Sequence, residues 1–188
     1  MPTISLLSDT HVLILMGDQR TRDKLIRLFE NMGATVHAAC NQNAAIGVYW
    51  QLYRKGIRPR VVVTSWWLTQ PGTKEYQYLE MLGRAEVDGT ALNLLINIID
   101  LDPKAFLTVY TQDPGSANEI IGKSGIQAEV FSRHEIELSA FVARVATHPG
   151  VATQRGNTEV IHRELNERES RYHAAYGPSG EWQASAFG

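Results

Sequence analysis

Four polar side chains of types that take part in chemistry each end or follow a short apolar segment: Asp18, Ser65, Thr111 and Arg133. A carboxylate can bind a cation, an activated hydroxyl can attack as a nucleophile, and a guanidinium can bind an anion. With His134, the first three would form the site of an α/β enzyme. Little else favours that alternative, because no Gly-x-Ser-x-Gly turn surrounds Ser65 and no acid–base pair is evident. We therefore expect a protein without catalytic activity.

The segments that must position these side chains alternate between two patterns. Short β-branched runs, predicted as strands, begin near residues 12, 35, 61, 106 and 129. Between them, apolar residues recur at helical spacing, as Leu25, Leu28 and Met32 do. The alternation predicts an α/β fold with a doubly wound, five-stranded parallel sheet. In such sheets ligands gather beyond the carboxyl ends of the strands, which is where the four polar side chains are expected.

The third interval between strand starts is unusually long. It spans 45 residues, from 61 to 106, whereas the other intervals are 23, 26 and 23 residues. A βαβ unit needs only about 30 residues with its helix, so roughly twenty residues, at about 66–87, form an insertion after the third strand. Tyr76, Tyr78 and Leu82 lie at helical spacing there. We expect a partly helical lid or docking element over the polar site.

Composition narrows the class of protein. The chain has 188 residues, 44% of them hydrophobic, and a formal charge of −2, which gives no overall sign of nucleic-acid or membrane binding. No long apolar run or signal peptide is evident, so a cytoplasmic protein is expected. Cys40 is the only cysteine, which excludes an intrachain disulfide, and we expect it to be buried. No phosphate-cradling glycine motif follows a strand and no histidines have zinc spacing, so neither cofactor nor metal is expected.

From about His11 to Ala146 the chain resembles a bacterial response-regulator receiver domain of the CheY-like type. The strand ends described above carry this resemblance. Thr111 matches the hydroxyl on the family's fourth strand, and Asp88-Gly89 resembles the pair before its third helix. The resemblance implies a flavodoxin-like sheet with strand order 2-1-3-4-5.

The residues that a working receiver uses for phosphoryl transfer are missing from the matching positions. Met16 and Gly17 precede Asp18 where the family carries a pair of acidic residues that bind Mg²⁺. Ser65 stands in place of the phospho-accepting aspartate, and Arg133 replaces a lysine. The resemblance thus implies a pseudo-receiver with a degenerate pocket at Gly17, Asp18, Ser65, Thr111 and Arg133.

A receiver fold without this chemistry is expected to act in signal transduction through a phosphorylation-independent protein–protein interaction. Relatives often use the face formed here by residues 116–145, so a homodimer is a further expectation. An ion pair between Arg133 and Asp18 would fix one conformation of the pocket. The alternative is that both side chains are solvated.

Aromatic and basic side chains offer further surfaces. Trp66 and Trp67 either pack beneath the insertion or stack on a partner, and Tyr76 and Tyr78 could extend such a surface. The basic side chains between residues 54 and 60 are expected to be solvated. A nucleic-acid-binding regulator is the less favoured alternative, because such a face needs more basic residues.

The composition changes after the receiver-like domain, which is expected to span 1–148. Within the remaining residues, 149–188, a charged helix is expected over 158–176, followed by a flexible tail. Ile161, Leu165 and Tyr172 form an apolar stripe that could pack on the domain or pair with a second copy.

Overall fold

The computed structural model describes residues 6–152, which form a five-stranded sheet between two layers of helices. All strand pairs are parallel and the order is β2-β1-β3-β4-β5, so the predicted fold class and strand order are confirmed. The strands are β1 (His11–Leu15), β2 (Thr35–Ala39), β3 (Val61–Thr64), β4 (Phe106–Thr111) and β5 (Glu129–Ser132). The helices are α1 (Gln19–Asn31), α2 (Gln42–Arg54), α3 (Lys74–Met81), α4 (Ala85–Asp88), α5 (Leu92–Leu101), α6 (Pro114–Ser124), α7 (Leu138–Ala146) and α8 (Pro149–Ala152).

The central strands are apolar on both faces because helices cover both. Every residue of β3 is buried, as are the last four residues of β1. One face packs against α1 and α7, through side chains that include Val12, Ile14, Phe29, Val61, Phe141 and Val145. The strand β2 lies at the edge of the sheet and is mostly half-buried or exposed. Burial therefore falls off towards that edge.

Polar caps start the helices that surround the carboxyl edge of the sheet. The side chains of Asp18, Asn41, Thr73 and Asp113 each accept a hydrogen bond from the backbone N–H three residues on. Such caps satisfy donors that a helix leaves unpaired and typically stabilise it by about 1 kcal/mol. Two of these caps, at α1 and α6, stand beside the polar cleft described below.

The insertion forms a closed loop on β3. The backbone N–H of Ala91 donates to the carbonyl of Trp66 at 2.9 Å, and that of Leu68 donates to the carbonyl of Gly89 at 2.9 Å. A Cβ at Gly89 would lie 2.4 Å from the Ala85 carbonyl oxygen, so only glycine fits this turn. The turn separates α4 from α5, which therefore begins at Leu92.

Two further expectations concern Cys40 and the apolar stripe near the C-terminus. Cys40 is exposed, so the prediction that it is buried is wrong: it directly follows β2, the strand at the edge of the sheet. The stripe of Ile161, Leu165 and Tyr172 lies outside the described residues.

Within residues 6–152, none of the helices combines the length and the apolar character needed to cross a bilayer.

Candidate functional site

A cleft of about 440 Å³ lies at the carboxyl edge of the sheet, between the ends of β1, β3, β4 and β5. The five side chains and backbone positions expected to form a degenerate pocket all line it. The lining consists of Gly17, Asp18, Ser65, Trp67, Leu68, Gln70, Thr111, Gln112 and Arg133. The parallel strands therefore bring these residues to one edge, as expected from the fold.

The Asp18 carboxylate is held by the first turn of α1. Its Oδ2 accepts a hydrogen bond from the backbone N–H of Thr21 at 3.1 Å and another from the Thr21 hydroxyl. These hydrogen bonds, the side-chain one first, lower the pKa of Asp18 below its ordinary value. The carboxylate is exposed at the cleft mouth and serves as a helix cap.

The Arg133 guanidinium is fixed by Tyr110 of β4 and by Met16, the residue after β1. Its Nε donates to the carbonyl of Tyr110 at 3.2 Å, and its Nη2 lies 2.9 Å from the Met16 sulfur. The guanidinium carbon also lies 5.2 Å from the centre of the Tyr110 ring, in cation–π geometry. Burial lowers the pKa of Arg133, although nearby Tyr110 and Asp18 oppose that shift.

These contacts correct the expected state of Arg133. It does not come within ion-pair distance of Asp18, so the hypothesis of an ion pair is wrong. The solvated alternative is wrong for Arg133 as well, because the side chain is half-buried and contacts Met16 and Tyr110. The physical reason is that Asp18 Oδ2 is held by Thr21 at the start of α1, whereas a backbone carbonyl and a thioether face the guanidinium.

Two hydroxyls lie deeper in the cleft. Ser65 is 9% exposed, and its Oγ donates to the carbonyl of Trp67 at 3.3 Å. The Thr111 Oγ1 accepts a hydrogen bond from the backbone N–H of Asp113 at 3.1 Å. His134 is exposed and is not part of the lining. The structure therefore brings Asp18, Ser65 and Thr111 together but places no imidazole beside them to act as a base.

A magnesium ion, which the receiver resemblance implies, does not fit this donor set. Mg²⁺ needs oxygen ligands, usually including one or two carboxylates. Asp18 is the one carboxylate among the lining residues, and its Oδ2 is used by Thr21. Gly17 supplies no side chain, and Met16 supplies a thioether that already contacts the Arg133 guanidinium. A soft ligand beside a fixed positive charge is the opposite of a magnesium site.

The two tryptophans have different environments. Trp66 is fully buried, and its Nε1 donates to the Ser116 hydroxyl at 3.3 Å. The hypothesis that Trp66 meets a partner is therefore wrong, and the packing alternative holds for it. Trp67 is half-buried at the cleft, and its Nε1 donates to Asp113 Oδ2 at 3.2 Å. Because Asp113 also caps α6, the insertion is tied to that helix.

The insertion places its two tyrosines on opposite sides of α3. The half-buried ring of Tyr76 lies edge-on to Trp67, with ring centres 5.5 Å apart and an interplanar angle of 78°. Tyr78 is 58% exposed and faces away from the cleft.

Sequence reasoning missed three lining residues, namely Leu68, Gln70 and Gln112. Gln112 directly follows Thr111, and this position could have indicated it.

The basic cluster expected between residues 54 and 60 does not form a continuous face. The Arg58 side chain is only 10% exposed, with its guanidinium 5.2 Å from the centre of the Tyr53 ring and 3.9 Å from the Asp102 carboxylate. Arg60 is half-buried, whereas Arg54 and Lys55 are exposed. Two exposed cations give little support to the nucleic-acid alternative.

No protein-family model matches this chain, and no curated protein sequence matches it. The fold does match solved structures. A response-regulator receiver domain protein from Clostridium thermocellum superposes with a TM-score of 0.51 at 13% identity, covering 86% of this chain and 98% of that one. The apo receiver domain of nitrogen regulatory protein C gives a TM-score of 0.50 at 17% identity, with the same coverage of both chains. The chain therefore has the flavodoxin-like fold of receiver domains.

Proposed function

We propose that this chain is a pseudo-receiver: a regulatory module of receiver fold that takes no phosphoryl group and acts by binding another protein. Support for the fold half of this proposal comes from the strand order and the structural neighbours. Support for the other half comes from the cleft, because Asp18, Ser65 and Arg133 each contact groups within the fold.

The contacts of Arg133 with Met16 and Tyr110 carry the proposal. A switch needs a cation that is free to bind an incoming group and then to move with it. Here the guanidinium is held by the Tyr110 carbonyl and the Met16 sulfur. Ser65 stands in place of a carboxylate nucleophile, and a serine would need an activating base. The cleft therefore favours one fixed arrangement over a phosphorylation cycle.

The partner we propose is a protein, and a second copy of the chain is an alternative partner through residues 116–145. A cytoplasmic setting suits a receiver-type module. None of the observed contacts favours an α/β enzyme, because Ser65 donates its hydrogen bond to a backbone carbonyl of the insertion instead of a catalytic base.

Intact mass after incubation with Mg²⁺ and a small acyl phosphate tests this function. We expect no adduct on the protein, with or without Mg²⁺. A Mg²⁺-dependent gain of one phosphoryl group would overturn the proposal and restore a signalling switch.

The matched control restores the missing carboxylates with Gly17→Asp/Ser65→Asp. A Cβ at Gly17 meets no heavy atom within 4 Å, so that substitution fits without strain. The double variant supplies an acidic pair and a nucleophile of the kind used for acyl-phosphate chemistry. An adduct on this variant alone shows that the reagents and the fold are competent, and that the native side chains prevent the reaction.

A further inference from the structure

The cleft at the carboxyl edge holds two opposite charges that do not pair with each other. Asp18 and Arg133 are the charged residues of its lining, and they stay beyond ion-pair distance. Hydrogen bonds from Thr21 lower the pKa of Asp18, and the Arg133 charge adds to that effect. The two groups therefore act on each other across the cleft, which has one negative and one positive pole.

Both charged groups keep hydrogen-bonding capacity beyond their contacts within the fold. A guanidinium has five N–H donors, and the contacts with the Tyr110 carbonyl and the Met16 sulfur involve only Nε and Nη2 of Arg133. A carboxylate has about four lone-pair sites, and both hydrogen bonds from Thr21 use Oδ2 of Asp18. A ligand can therefore bind both poles without displacing the contacts that hold them.

Two charged side chains close to the lining preserve this balance. Asp113 is turned towards the fold, because its Oδ1 and Oδ2 accept hydrogen bonds from the Ser116 N–H at 3.1 Å and from Trp67 Nε1 at 3.2 Å. Arg22 donates from Nη1 to the Met16 carbonyl at 2.8 Å. One of these side chains is negative and the other positive, so together they favour neither a purely anionic nor a purely cationic ligand.

The insertion adds an apolar wall to the cleft. Trp67 and Leu68 are half-buried lining residues, and the Trp67 ring is held by Asp113 and by the edge-on ring of Tyr76. The volume of about 440 Å³ lies near the lower end of the range for small-molecule pockets. The cleft therefore suits a small ligand with an apolar part as well as charged groups.

We propose that the cleft binds a small zwitterion, an α-amino acid with an apolar side chain. Its carboxylate binds Arg133, its ammonium binds Asp18, and its side chain packs against Trp67 and Leu68. Charge selects this ligand class: a simple anion meets the Asp18 carboxylate and a simple cation meets Arg133, whereas a zwitterion is attracted at both ends. The inference goes beyond the function proposed above, because it gives the domain a chemical ligand in addition to a protein partner.

Three probes that share one aromatic ring test the two charges separately. L-Phenylalanine carries both charged groups, 3-phenylpropionate lacks the ammonium, and phenethylamine lacks the carboxylate. Two-dimensional ¹⁵N–¹H NMR of the full chain follows the indole N–H of Trp67, which the variant Trp67→Phe assigns. We expect saturable shifts of this signal with L-phenylalanine, and at least about tenfold weaker binding of the two single-charge probes and of inorganic phosphate.

Variants assign each pole to one end of the ligand. Asp18→Asn removes the negative charge and keeps the cap of α1, because asparagine caps helices about as well as aspartate. It should weaken L-phenylalanine at least about tenfold and leave 3-phenylpropionate bound no more weakly than by the native chain. Arg133→Met should also weaken L-phenylalanine at least about tenfold, without weakening phenethylamine. Asp100→Asn, an exposed site on α5, is the matched control and should bind every probe as the native chain does.

Several outcomes overturn this inference. They are the absence of a saturable shift with L-phenylalanine up to about 10 mM, equal binding of the three probes, and tighter binding of inorganic phosphate than of L-phenylalanine. An Asp18→Asn variant that weakens all probes alike shows a structural role for Asp18 and also overturns it. The phosphodonor experiment is independent: an adduct on the native chain overturns the pseudo-receiver function, whereas failed amino-acid binding without an adduct overturns the ligand site alone.

Discussion

An arginine lies at the carboxyl ends of the strands (the carboxyl edge) and another at their amino ends (the amino edge). The two side chains have very different interaction partners. At the carboxyl edge, Arg133 has a carbonyl, a sulfur and an aromatic ring as partners. At the amino edge, the Arg58 side chain is 10% exposed and lies over the Tyr53 ring, and its Asp102 partner is 3.9 Å away. The Nε and Nη2 of Arg58 have no hydrogen-bond partner, and neither does the nearby buried Tyr49 hydroxyl.

The difference in partners indicates two roles: Arg133 fixes a local conformation, whereas Arg58 maintains the fold. A half-buried cation with local partners holds two strand ends together. Removing it should lower the free energy of unfolding only modestly. A buried cation whose main compensation is one carboxylate makes the whole domain depend on that carboxylate. We therefore expect mutations at the amino edge to have the larger effect on stability.

The largest effect is expected from Asp102→Ala. It leaves the buried Arg58 charge without its counterion, and breaking such a pair typically destabilises by about 3 kcal/mol or more. Urea unfolding measures the change, with Asp100→Ala, an exposed neighbour, as the control at under about 0.5 kcal/mol. Adding Arg58→Met to Asp102→Ala should recover part of the loss, because no unpaired charge then remains. A loss at Asp102 as small as the control would erase the contrast between the edges.

A smaller effect is expected from Arg133→Met at the carboxyl edge. The substitution keeps an unbranched apolar stem and removes the hydrogen bond to the Tyr110 carbonyl, at a cost of about 1–2 kcal/mol. Arg27→Met on the exposed side of α1 is the matched control. If Arg133→Met proved as damaging as Asp102→Ala, the carboxyl edge would be a determinant of folding, in conflict with the comparison.

The smallest effect is expected from pH, through His11 at the start of β1 and His37 in the middle of β2. His11 Nδ1 and His37 Nε2 share a hydrogen bond of 3.0 Å, which requires at least one neutral ring. Burial lowers the pKa of both, and their mutual repulsion adds to this for His37. A lowered folded pKa means that the unfolded chain binds more protons, so the stabilisation is complete above about pH 6.5 and is lost as the pH falls below that value.

Urea unfolding between pH 7.5 and about pH 5 measures this contribution, above the range where carboxylates titrate. The variant His37→Gln removes the shared hydrogen bond between two titrating rings, so its stability should depend less on pH in the same window. A native chain whose stability does not change over this window would exclude the pair as a pH-sensitive element.

The sequence predicted the sheet because its central strands are apolar on both faces, a pattern set by local composition. It also placed the cleft residues at one edge, since each follows a strand. The contact of Arg133 with Met16 could not be predicted, because it joins positions 117 residues apart and depends on side-chain direction. Arg58 was expected to be solvated, because the sequence does not show that Tyr53 and Asp102 enclose it. Cys40 was misjudged because its burial depends on which strand occupies the edge.

The exposure of Cys40 determines how any oligomer of this chain must be interpreted. A thiol that is open to solvent, on a chain with no other cysteine, can form a disulfide only with a second molecule or a small thiol. Air oxidation would therefore produce a covalent dimer joined beyond the end of β2, whatever surface the native association uses. Hydrodynamic measurements therefore report the non-covalent oligomeric state only under reducing conditions. The same thiol gives a single attachment point for a spectroscopic label on the native sequence.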